Sequence, residues 1–204
     1  MGTVSSCKSN KVNISDYLDE YNNGKLTIEQ FKEKIIENQE GISWTKKNDV
    51  KSVKINDNIA IIMKDNRTDL LYLGEYAQDL NRMCYANGEG TLVVKNYIYI
   101  GKFNWKPVLD GYMRVNSRHG TGKLYKNGKL IKKGKWYDHE FVEGVQFNKK
   151  FKCVGKFNNN SLYDGKIYTK NKNELYGIVK YGHMTKSSTG GTNSPPKYND
   201  VKYF

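Results

Sequence analysis

Glycine recurs every ten to twelve residues through the back half of this chain, at Gly90, Gly101, Gly111, Gly122, Gly134, Gly144, Gly155, Gly165 and Gly177. Every second step is therefore 21 to 23 residues, the length of one β-hairpin with its turns. Two positions after most of these glycines stands a large residue: Leu92, Phe103, Met113, Leu124, Trp136, Phe157, Ile167 and Val179. A period this regular marks an array in which each unit buries its face only against its neighbours. Arrays of this kind present surfaces, and the spacing carries no constellation of catalytic groups.

At 204 residues the chain is long enough to bury a core, and sixteen tyrosines carry much of its hydrophobic load. Tyrosine is amphipathic and suits strands that are half buried and half wet. The longest apolar run, Ile59 to Met63, is far too short to span a bilayer, and no secretory h-region is present. Cys7, Cys84 and Cys153 are odd in number and far apart, with no CxxC, which argues for a reducing compartment without structural disulfides or a zinc site. Charge is uneven. Residues 1–49 hold seven Lys against eight Asp or Glu, whereas residues 50–204 hold 27 Lys plus Arg against 13 acids, a surplus of 14. Such a surface calls for an anionic partner, nucleic acid or the cytoplasmic membrane face, or else reflects only a lysine-rich composition.

Residues 1–13 read as a flexible N-terminus and residues 14–49 as a helical segment. In the latter, Tyr17, Leu18 and Tyr21 form one amphipathic piece, and Asn22-Asn23-Gly24 breaks it. Ile28, Phe31, Ile35 and Ile36 then share a second face. Thr27 and Gln30 fit a capping box. Residues 50–70 read as a leading hairpin, turned at Asn56-Asp57-Asn58. The repeat array covers 71–185. Residues 186–204, rich in Ser, Thr, Gly and Pro, read as a disordered tail.

Inside the array a second pattern overlies the glycines: Tyr72-Leu-Gly74-Glu-Tyr76 with Gly88-Glu-Gly90-Thr-Leu92, then Tyr99-Ile-Gly101-Lys-Phe103. Partial matches follow at Gly120-Thr-Gly122-Lys-Leu124, Gly134-Lys-Trp136, Gly155-Lys-Phe157, Tyr163-Asp-Gly165-Lys-Ile167 and Tyr176-Gly177. This pattern resembles MORN repeats over roughly residues 70–182, with Lys132, Cys153 and Leu175 where the leading tyrosine is expected. The resemblance implies a mainly β fold, an elongated antiparallel sheet of hairpins behind a small helical segment. Gly74, Gly90, Gly101, Gly122, Gly134, Gly155, Gly165 and Gly177 would be its structural repeat positions. Glycine there allows close backbone approach and positive φ, and the aromatics stack as a core ladder rather than as a nucleic-acid platform.

Met1-Gly2-Thr-Val-Ser-Ser6 fits the myristoylation pattern, and Cys7 follows as a candidate for S-palmitoylation. One acyl chain binds membranes only marginally, so a second chain or a basic surface is needed, and this sequence offers both. Pro195-Pro196-Lys-Tyr198 is a PPxY segment, a form that docks as polyproline II into WW domains. Asp19 to Gln30 imitates an EF-hand loop but puts Tyr21 and Gln30 at ligand positions, so calcium is not expected. His119, His139 and His183 are scattered, and GxSxG, HExxH and Walker A motifs are absent. Asp138-His139-Glu140 reads as a solvated turn.

The sequence thus points to a non-enzymatic cytoplasmic scaffold without cofactor or metal. It would be held on a membrane by an acylated N-terminus, with a basic repeat face toward anionic lipid and a tail open to WW-domain partners. The resemblance also implies homo-oligomers. A nucleic-acid-binding or purely protein–protein module is the alternative; charge alone supports nucleic acid. Regulatory parts of lipid-kinase or methyltransferase systems also carry such arrays.

Overall fold

The computed structural model describes residues 14–47, 50–64, 67–104 and 117–187. Helix α1 (Ile14–Asn22) and helix α2 (Ile28–Glu37) come first, followed by a 3-10 turn at Gln39–Gly41. Among the described residues, thirteen strands then form one open sheet in strict chain order, each antiparallel to the next. They are β1 (Thr45–Lys47), β2 (Val50–Lys54), β3 (Ile59–Lys64), β4 (Arg67–Gln78), β5 (Cys84–Val94), β6 (Tyr97–Asn104) and β7 (Ser117–Lys126). The series continues with β8 (Lys129–Tyr137), β9 (Glu140–Phe147), β10 (Phe151–Asn158), β11 (Ser161–Thr169), β12 (Leu175–Lys180) and β13 (His183–Ser187). The chain is mainly β, an antiparallel meander with two short helices near its N-terminus. Two expected boundaries shift. Strand β1 lies within the segment read as helical, and the division at residue 70 falls inside the continuous strand β4.

Local chemistry accounts for the elements. Thr27 caps α2, its Oγ1 accepting from Gln30 N–H at 3.2 Å while Gln30 Oε1 accepts from Thr27 N–H at 2.8 Å. The β2–β3 turn is closed by Asn56, whose Oδ1 accepts from the N–H groups of Asn58 and Ile59. Four later hairpins turn on two residues that both have positive φ: Asn127-Gly128, Asp138-His139, Asn159-Asn160 and Tyr181-Gly182. That geometry matches the twist of the flanking strands, and Asn, Asp and Gly adopt it at the least cost.

The sheet has two different faces. On one, α2 seats Ile28, Phe31 and Ile35 on Ile61, Met63, Leu71, Leu73 and Val93 of β3, β4 and β5. On the other, a single core runs from β2 to β12 through Tyr72, Tyr99, Phe103, Leu124, Trp136, Phe141, Phe157, Ile167 and Val179. Six of its rings touch in sequence: Tyr72, Phe103, Tyr99, Trp136, Phe141 and Phe157, with centroids 4.8 to 5.3 Å apart. Aromatic pairs at these separations gain more than their buried area alone would give. Register shifts occur in eight of the twelve strand pairings, and such bulges bend the strand and increase its local twist.

Candidate functional surface

The glycine period is a straight line across the sheet. In register, Gly74 faces Gly90, which faces Gly101, and the line continues through Gly122, Gly134, Gly144, Gly155 and Gly165. Ala60 extends it onto β3. Gly177 does not belong to it. In the β11–β12 register Gly177 stands opposite Ile167, and Val179 takes the place beside Gly165. Gly111 and Met113 lie outside the described residues.

The reason for glycine changes along the line. At Gly90 and Gly122 a Cβ would strike the ring of Tyr72 or Tyr99 on the preceding strand, and at Gly74 it would first meet the Gly90 Cα and the Glu89 carbonyl. The Tyr72 hydroxyl donates to the Glu75 carbonyl at 2.6 Å, and the Tyr99 hydroxyl to the Lys102 carbonyl at 3.3 Å. Burial pushes both phenols well above the ordinary tyrosine range. At Gly134, with φ of +158°, the obstacle is backbone: a Cβ would meet the Glu143 carbonyl and Gly144 Cα.

The neighbouring row of the core holds Lys132 and Cys153 at two of the positions that lack the tyrosine. Tyr72, Leu92, Tyr99, Leu124, Lys132, Gln146, Cys153 and Ile167 are successive cross-strand partners. Lys132 is 1% exposed; its ammonium donates to Asn160 Oδ1 at 2.9 Å and lies 5.2 Å from the centre of the Phe141 ring. Gln146 is equally buried, and neither atom of its amide finds a partner. Cys84 and Cys153 are buried thiols, and burial raises the pKa of Cys84, which leaves it unreactive.

The opposite face of β6 to β12 is not covered by the helices. Two rows of side chains cross it beside the glycines. One pairs its charges: Lys135 with Glu143 at 2.9 Å, Lys180 with Asp164 at 3.0 Å, and Lys102 with Glu89 at 3.9 Å. The other reads Thr91, Ile100, Lys123, Lys133, Val145, Val154, Lys166 and Ile178, each the cross-strand partner of the next. Lys123 and Lys133 stand directly opposite each other, an arrangement that is unfavourable without an anion nearby. Neither they nor Lys166 form an ion pair with any described residue.

The residues considered for chemistry do not converge. Asp138 and His139 occupy a tight turn whose backbone is tied to Arg118, with His139 N–H donating to the Arg118 carbonyl at 3.1 Å. His119 stacks near Tyr137 instead, with centroids 5.2 Å apart. Among the described residues no group of His, Cys, Asp and Glu could hold a metal ion, and no helix is long and apolar enough to cross a membrane. Gly2, Cys7, Pro195, Pro196 and Tyr198 lie outside the described residues. A scan against models of known protein families found no match, and no curated protein matched either.

Proposed function

We propose that this protein is a non-enzymatic, MORN-like scaffold of the cytoplasmic membrane face, acylated at Gly2 and Cys7, with its basic sheet surface toward anionic lipid. The observation that carries this reading is the uncovered face of β6 to β12, where Lys123, Lys133 and Lys166 stand unpaired among Ile100, Val145, Val154 and Ile178. Each lysine brought to an anionic bilayer surface contributes about 1 kcal/mol, enough for several together to supply the second signal that a single acyl chain requires. The PPxY segment Pro195-Pro196-Lys-Tyr198 would serve as a recruiting arm for WW-domain proteins.

Flotation with neutral and anionic vesicles at matched salt tests the lipid reading, beside intact mass after expression in a eukaryotic cell. Binding that requires anionic lipid, together with a mass increment removed by Gly2→Ala, is the expected outcome. Unmodified protein that ignores anionic vesicles would end the proposal. Tighter binding to nucleic acid than to vesicles at the same salt would favour the alternative function.

A further inference from the structure

Because the sheet is a meander, alternate turns share an end of the strands. Among the turns described throughout, one end collects β5–β6, β7–β8, β9–β10 and β11–β12, which with their flanking residues carry Lys95, Lys129, Lys149, Lys150, Lys170 and Lys172 against the single acid Glu174. All six lysines are exposed, and none forms an ion pair with a described residue. Among the turns described throughout, the other end collects β2–β3, β4–β5, β8–β9, β10–β11 and β12–β13, with Asp57, Asp79, Asp138 and Glu140 against Lys54, Arg82 and Lys180. Leu80, Tyr137 and Tyr181 are exposed there.

The uncovered face is graded in the same direction. The charge-paired row through Lys135, Glu143, Lys156 and Asp164 lies nearer the acidic end. The unpaired row through Lys123, Lys133 and Lys166 lies nearer the lysine end. Positive charge therefore rises along the strands from one set of turns to the other.

Resting on the membrane reading above, we infer that the sheet docks tilted, with the four lysine-bearing turns meeting an anionic bilayer and the acidic, tyrosine-bearing turns held away. Charge complementarity selects the occupant, and screening selects the orientation. The Debye length is about 8 Å at physiological ionic strength, whereas a nine-residue strand spans about 30 Å, so only one end of the sheet feels the surface. Successive turns on that end are two strands apart, about 10 Å, which spreads the lysines as a comb over several headgroups.

The test uses the full, unacylated chain with Cys7→Ser and vesicles of neutral lipid with or without phosphatidylserine. Removing four comb lysines (Lys129, Lys149, Lys150 and Lys170, each to Gln) should lower partitioning roughly a hundredfold or more, at about fivefold per lysine. Removing four lysines that lie toward the acidic end (Lys102, Lys135, Lys156 and Lys180, each to Gln) should lower it less than tenfold. An environment-sensitive dye at Asn171→Cys should respond to the vesicles, and one at Asn81→Cys should not. Equal losses from the two quadruple variants, or a response only at Asn81→Cys, would overturn the tilt while leaving membrane binding intact. A wild-type chain indifferent to phosphatidylserine would instead remove the membrane reading on which the tilt rests.

Discussion

Lys132 and Gln146 face each other across β8 and β9, each 1% exposed, in the core row that holds Tyr72 and Tyr99 on earlier strands. Two polar side chains thus stand where the leading repeats place a tyrosine and a leucine. Lys132 keeps a partner in Asn160, whereas the Gln146 amide keeps none. A buried amide without partners costs about 1–3 kcal/mol. Gln146→Met, close in shape, should therefore raise stability by about 1–2 kcal/mol. Lys132→Met should change it by less than about 1.5 kcal/mol, and Lys132→Ala should cost about 2–4 kcal/mol through the cavity it leaves. Urea melts of the three variants decide the matter. A destabilised Gln146→Met would mean that the amide is satisfied in solution.

The glycine line predicts unequal costs for the same substitution. Gly134→Ala forces a Cβ into the backbone of β9, so strand pairing must open, and a loss above about 3 kcal/mol is expected. Gly128 has φ of +70° with nothing within 4 Å of the added Cβ, so Gly128→Ala should cost only about 1 kcal/mol of backbone strain. Thermal melts that give equal, small losses for both would remove the line from its structural role.

Helix α2 is held by packing more than by its cap. Phe31 is fully buried against the sheet and rests beside Tyr21 at 5.8 Å, so Phe31→Ala should cost about 3–5 kcal/mol. Thr27→Ala removes one side of an exposed capping box and should cost about 1 kcal/mol. If the order were reversed in denaturant melts, the helices would not be the cover of this face.

Alkaline pH should unfold the protein through its buried tyrosines. Burial, followed by the hydrogen bond to Asp79, pushes Tyr85 up to about 12, and burial raises Tyr72 and Tyr99 further. A phenol whose pKa is raised on folding contributes stability that is fully present below the unfolded value near 10. That stability is lost as pH rises through the folded value. Stability should then be flat below pH ~10 and fall between pH ~10 and ~12, with Tyr72 and Tyr99 ionising only as the sheet opens. Tyrosinate absorbance followed beside circular dichroism checks this. A single titration of all tyrosines near pH 10 with the fold intact would contradict it.

Much of the fold is legible in the sequence because its cause is local. A glycine every ten to twelve residues is a strand plus a turn, and that interval alone dictates hairpins. The capping pair Thr27 and Gln30 and the Asn56 turn each act within a few residues and read directly from the chain. Tertiary structure decided the rest, since it depends on register and on residues far apart. The β11–β12 register leaves Gly177 off the line and sets Val179 beside Gly165, which spacing cannot foretell. Lys132 looks like a surface lysine until the row places it between Leu124 and Gln146. The helices near the N-terminus cover only the first strands of one face, and this long-range packing leaves the later lysines open. Turn composition was visible throughout, but only the meander shows that lysine-bearing turns gather at one end. Strand direction alternates, and chain order alone gives the turns no end.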